Sequence, residues 1–216
     1  MRPGRRDEPV LRFYLNFAAR LALRFKQLDR ALELYIGVEN TWPARAPGSV
    51  DAIMAQGHVW GRKGDRARAR AEFERALRIR PDIAVAHFNI GWVCDQQGLP
   101  DEALAQFARA IAINPNHDRA WYGSGIIHVR HGRHIEAKKA FQQVVRIEPM
   151  NMHGWYQLGM THYVLGETEE LEGLKRHTVR FNPKIAYLLD ADTKKLRRQM
   201  EWAKDGGGAA APMATA

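Results

Sequence analysis

The chain has 216 residues and a single cysteine, Cys94. No disulfide can close within it, so a reducing compartment, the cytoplasm, is the expected location. It also has no long apolar run. The most apolar segment, residues 10–25, is interrupted by Arg12, Arg20 and Arg24, which neither a signal core nor a spanning helix accommodates. No secretory signal and no transmembrane segment are expected. Acid is in deficit: 24 Asp and Glu against 33 Lys and Arg give a formal net charge of +9. That balance favours acidic partners or anionic surfaces and carries no information about fold. Hydrophobic residues at 45% and charged residues at 26% are an ordinary globular mixture, which excludes disorder for the bulk of the chain.

Catalytic motifs are missing as well. There is no Walker loop, no Gly-x-Ser-x-Gly, no His-Glu-x-x-His and no pair of cysteines. The Gly206-Gly207-Gly208 run lies in a low-complexity tail, not after a strand. The expectation is a protein that is not an enzyme and needs no cofactor. His128, His131 and His134 have the spacing of metal ligands, but Gly132 breaks the helix between them and removes a common face. His128 also shares a column with Trp60, Cys94 and His162, an inter-helix packing slot. No metal site is expected, and Cys94 reads as a small buried hydrophobe.

What the chain does have is a period. Pro81, Pro115, Pro149 and Pro183 are spaced by 34 residues. Gly57, Gly91, Gly125 and Gly159 keep step, as do Gly64, Gly98, Gly132 and Gly166, then Ala69, Ala103 and Ala137, then Phe73, Phe107 and Phe141. A supersecondary unit recurring at a fixed period is the signature of a stacked repeat architecture. Each column has a physical reading. The later glycines end a first helix in a turn that other residues adopt at a cost. Acids or a proline, as in Gly64-Asp65 and Pro100-Asp101-Glu102, start a second helix. The earlier glycines, each costing about 1 kcal/mol inside a helix, admit a close partner helix. The alanines sit opposite them, the phenylalanines fill the adjacent core, and the prolines stop the second helix.

The segments HFNIGWVCDQQGLPDEALAQFARAIAINP and WYGSGIIHVRHGRHIEAKKAFQQVVRIEP resemble the tetratricopeptide repeat (TPR). The resemblance covers about 175 residues and implies an all-α fold: a right-handed superhelical solenoid of antiparallel helix hairpins with a C-terminal capping helix. Four regular copies are placed at 50–83, 84–117, 118–151 and 152–185. The last is degraded where Leu171, Lys175 and Thr178 replace alanine, aromatic and alanine. A divergent copy at 12–45, within an N-terminal segment 1–49, keeps Ala31, Tyr35, Val38 and Pro43 but has Ala19 for glycine. An insertion, Ala46 to Ser49, follows it. Residues 186–204 read as the capping helix, with Ile185, Leu188, Leu189, Leu196 and Met200 on one face, and 205–216 as a disordered tail. Trp121 and Trp155, in the leading aromatic position, are expected in the core.

The family is defined by architecture, so function rests on a surface. Phe88, Tyr122 and Tyr156 recur one residue after the Trp121 column, and Trp92, Ile126 and Met160 follow four residues later, on the same helix face. In this family that face lines the concave groove. Arg62, Arg119 and Arg130 are nearby cations, and Asn89 and Gln157 nearby amides. The expected function is a scaffold or adaptor that holds a peptide or helix of another protein in the groove and serves assembly of a larger complex. The ordinary alternative is that a terminal segment covers these side chains. The family's carboxylate clamp is not expected, because Met54, His58, Asn89, Arg119 and Gly123 occupy its positions and the lysine is missing. The basic run DRARARAEFERALRIR reads first as solvated charge. The competing function is a basic solenoid that binds nucleic acid or an anionic membrane surface, the latter through the cationic segment 10–25, although that segment reads first as the divergent repeat packing on the second.

Overall fold

The computed structural model describes residues 8–42 and 47–204. Arg2, Arg5, Arg6, Pro43, Ala46 and the tail from Asp205 lie outside them. The described residues form eleven helices: α1 Glu8–Arg24, α2 Leu28–Asn40, α3 Pro47–Arg62, α4 Arg66–Ile79, α5 Ala84–Gln96, α6 Pro100–Ile113, α7 Asp118–Arg130, α8 His134–Ile147, α9 Met152–Val164, α10 Thr168–Val179 and α11 Pro183–Lys204. None of the described residues is in a strand. The chain divides into two compact units, Met1–Ala120 and Trp121–Ala216.

In the first unit α1 packs on α2, α3 on α4 and α5 on α6, with α2 against α3 and α4 against α5. The periodic columns explain the pairing. A β-carbon on Gly57 would come within 2.5 Å of the Phe73 ring, and one on Gly91 within 2.7 Å of Phe107 and 3.1 Å of the Ala103 carbonyl. The missing side chain therefore makes the ring-on-backbone contact. Ala69 and Ala103 are fully buried, as close helix approach requires. At Gly98 the backbone takes φ +74°, and the next helix opens on Pro100. Asp65 caps α4 by accepting from the Arg68 amide at 2.9 Å. Ahead of Pro81 and Pro115, Arg80 and Asn114 are extended and end their helices.

The α1/α2 hairpin departs from this pattern. Its turn holds Lys26 at φ +58°, where the other hairpins have glycine. Ala19, Ala22, Ala31, Leu32, Tyr35 and Val59 form its core. Arg12 lies 3.8 Å over the Trp42 ring and donates to the Thr41 carbonyl at 2.6 Å, tying α1 to the end of α2.

The second unit shows the one change of partner. Gly125 faces Phe141, but Gly159 faces Leu189 of α11, with a β-carbon 2.6 Å from its side chain. The α10 position that should supply the ring holds Lys175, which pairs with Glu172 and with Asp190 of α11. So α11 fills the slot that α10 leaves empty. Leu171, Leu174, Ile185 and Leu189 close one core with Phe141 and Leu158. Of the expected α11 face, Ile185 and Leu189 are buried, Leu188 and Leu196 half-buried and Met200 exposed. Trp121 and Trp155 are half-buried, not core. The indole N–H is the reason at Trp155, which donates to the Pro149 carbonyl at 2.7 Å and holds the interhelix turn.

Candidate functional site

In the first unit, the first helices α3 and α5 bring together part of the expected face. Trp92 is 45% exposed. It lines a hollow of about 220 Å³ with His58, Arg62, Asn89 and Val93, floored by Gly57, Gly61, Ala69 and Phe73. The hollow exists because the floor is glycine and alanine. Asn89 reaches the His58 ring at 3.4 Å, and that ring sits edge-on to Phe73 with centroids 5.3 Å apart, a favourable aromatic geometry. Burial lowers the His58 pKa from its ordinary value and so favours the neutral ring. Arg62 reaches the Leu23 carbonyl at 3.4 Å from an exposed position. Phe88 is half-buried, stacked on Phe107 and tilted against His117. It is more wall than open surface. Arg119 is exposed on the first turn of α7.

In the second unit, Tyr122, Ile126, Tyr156 and Met160 are all half-buried and pack against the Phe141–Leu158–Leu189 core. Tyr122 lies edge-on to Phe141. Burial raises its pKa, and a hydrogen bond with Gln157 opposes the rise. Tyr156 donates to Asp192 of α11 at 2.7 Å, and burial followed by that bond pushes its pKa to about 12. At Tyr156 the terminal helix α11 thus covers part of this face. Arg130 is exposed on the last turn of α7.

The remaining candidates separate. Among the described residues no group of three His, Cys, Asp or Glu could hold a metal ion. His131 bonds the Ile127 carbonyl at 2.8 Å, while His128 is half-buried beside Arg133 and Glu136. Cys94 is fully buried, and burial raises its thiol pKa. Three of the six arginines in the basic run, Arg66 to Arg80, are paired with acids. Arg68 pairs with Asp65, Arg70 with Glu74 and Glu102, and Arg75 with Glu72 and Glu39. No described helix is long and apolar enough to cross a membrane.

Two features were not singled out from sequence. His58 joins Asn89 and Trp92, where the repeat pattern marks it only as a mismatch to the carboxylate clamp. A second hollow, about 430 Å³, is lined by Phe13, Phe17, Arg20, Tyr35, Trp42 and Asp51. The i, i+4 spacing of Phe13 and Phe17 repeats that of Phe88 and Trp92, and was the available signal.

Antiparallel hairpins joined by glycine turns, with glycine-on-phenylalanine contacts at a fixed period, define a helical-hairpin repeat protein. The tetratricopeptide repeat family profile matches residues 54–118, and a second tetratricopeptide profile matches residues 96–158. The chain carries tetratricopeptide repeats over residues 54–158. Among solved structures it is similar to YrrB, "a TPR protein with an unusual peptide-binding site", at 25% identity and TM-score 0.62, over 84% of this chain and 90% of that one. A tetratricopeptide repeat protein from Parabacteroides merdae ATCC 43184 aligns at 17% identity and TM-score 0.70, over 90% and 77%. The first TPR of Spaghetti (RPAP3), bound to the HSP90 peptide SRMEEVD, aligns at 19% identity and TM-score 0.52, over 54% and 93%. Comparison with curated proteins gave no match.

Proposed function

We propose that this protein is a non-enzymatic interaction scaffold that binds a peptide or helix segment of a partner protein on its first-helix face. The observation that carries the reading is Trp92, a large apolar side chain left almost half exposed beside an amide, an imidazole and a guanidinium in one hollow. Buried tryptophan and arginine anchors supply most of the affinity at protein interfaces. The partner segment offers an apolar side chain to Trp92 and a carboxylate or backbone carbonyl to Arg62 and Asn89. Peptide binding by YrrB supports the reading for a chain of this kind. Phe88, Tyr122, Ile126, Tyr156, Gln157 and Met160, with Arg119 and Arg130, are proposed to extend the surface within each unit. Assembly of a larger complex is the proposed use.

The test is affinity capture with crosslinking from the source cell, followed by binding of the captured partner to Trp92→Ala. Binding should fall at least about tenfold, since truncating an interfacial tryptophan costs about 2 kcal/mol or more, with thermal stability nearly unchanged. Arg62→Ala should change the salt dependence and rate of association more than the affinity. Unchanged binding by Trp92→Ala would overturn the reading. Nucleic-acid binding is the weaker reading, because Arg68, Arg70 and Arg75 are already paired to acids.

A further inference from the structure

Helix α1 is packed with its large side chains outward. Ala19 and Ala22 are buried against α2, with Leu15 and Leu23 half-buried beside them. Away from that contact Val10, Phe13, Tyr14, Phe17 and Leu21 are all exposed, Phe13 and Phe17 while also lining the hollow with Tyr35, Trp42 and Asp51. Their spacing of three and four residues makes one stripe. Phe25, one residue past the helix, continues it. The four aromatic rings are 59–68% exposed, in a region where soluble proteins normally leave only scattered apolar residues.

Charge decides what covers the stripe. Residues 9–28 contain no acid and four bases. Arg12 is spent on Trp42, but Arg20, Arg24 and Lys26 are exposed along the stripe's edge and end. Asp51 of α3, among the described residues the one acid lining the hollow that also holds Phe13 and Phe17, lies there with Arg20. Two copies meeting face to face would bring these cations together. A helix of this length presents a strip of about 25 Å by 10 Å, well short of the roughly 800 Å² per partner of a stable protein interface. An aromatic stripe edged by cations, beside a face already packed on protein, suits a surface that is both apolar and anionic.

We propose that α1 docks on the interface of an anionic lipid bilayer. It lies in the plane of the membrane with Phe13, Tyr14, Phe17, Leu21 and Phe25 in the headgroup–acyl boundary and Arg20, Arg24 and Lys26 on lipid phosphates and carboxylates. The peptide-binding reading is independent of this docking, since none of these side chains lines the Trp92 hollow.

The experiment is co-sedimentation of the full chain with two kinds of vesicle, phosphatidylcholine alone and phosphatidylcholine with about one-third phosphatidylserine, at low and physiological salt. Wild type should bind the anionic vesicles and leave the neutral ones largely unbound. Phe17→Ser/Leu21→Ser should weaken binding at least about tenfold at both salt concentrations, from lost apolar burial. Arg20→Gln/Arg24→Gln should weaken it about tenfold at low salt and flatten the salt dependence. Circular dichroism should show both variants as helical as wild type. If the serine variant loses helicity, the arginine variant decides. The proposal is overturned by failure to bind anionic vesicles, by equal binding to neutral ones, or by indifference to the variants. It is equally overturned if the serine variant abolishes a dimer of a wild type that binds no vesicles.

Discussion

A helical glycine in this chain is defined by what a side chain would strike. Gly91→Ala places a β-carbon 2.7 Å from Phe107 and 3.1 Å from the Ala103 carbonyl. The carbonyl belongs to a helix and cannot yield, so the variant should lose about 1–3 kcal/mol by overpacking, read from its denaturation midpoint. Gly61, four residues beyond Gly57 on α3, would meet only the Ala69 β-carbon, at an ordinary 4.0 Å. Gly61→Ala should therefore gain up to about 1 kcal/mol from helix propensity. The pair tests the account of the columns, because both changes add the same methyl group. Lys26 is the complementary case. It holds φ +58° in the turn where the regular hairpins have glycine, a conformation that costs an L-residue about 1 kcal/mol. Lys26→Gly should raise stability by roughly half to one kcal/mol, measured on the same transition.

At the scale of the element, α11 is part of the last hairpin's core and not only a cover. Leu189 is fully buried, with Gly159 under it. Leu189→Ala should cost about 2–5 kcal/mol. Lys175→Phe should fail to restore the family pattern, because its slot is occupied and its ion pair with Asp190 is lost. The lesson for reading the sequence follows from these residues. The helix pairs, their turns and the glycine–phenylalanine contacts were legible, because each is local and recurs at a fixed period. The replacement of Lys175 by Leu189 was not, because it joins residues of different helices outside the 34-residue register. The candidate surface was legible only in part. Trp92, Asn89 and Arg62 do meet in one hollow, but pattern alone could not tell that Phe88 lies on Phe107 or that Asp192 holds Tyr156. Nor could it tell which side of α1 faces protein, since alanine and phenylalanine are equally apolar in a periodicity.

For the molecule as a whole, acid sensitivity follows from the histidines. Loss of hydration is the first cause holding His58, His117 and His128 below the ordinary histidine value of 6.5. Arg119 adds to the effect at His117, and Arg133 and His131 at His128, against opposing carboxylates. The sign follows from linkage. Each of these rings takes up its proton at higher pH in the unfolded chain than in the folded one, so acid favours unfolding. Their contribution is complete above about pH 6.5 and is lost as pH falls from there through the folded-state values. The net charge of +9 acts in the same direction, because each added proton increases self-repulsion. Glu167 lies in a different window. Its hydrogen bonds with Lys138 and His162 hold its pKa below the ordinary 4.5, so its support is lost only in stronger acid. The denaturation midpoint should therefore fall between pH 7.5 and pH 5.5. His128→Phe keeps an aromatic ring in the packing slot and removes the proton, so it should flatten the slope over that interval. A midpoint constant from pH 7.5 to 5.5, or a slope indifferent to His128→Phe, would show that these rings are hydrated in solution, contrary to the packing described above.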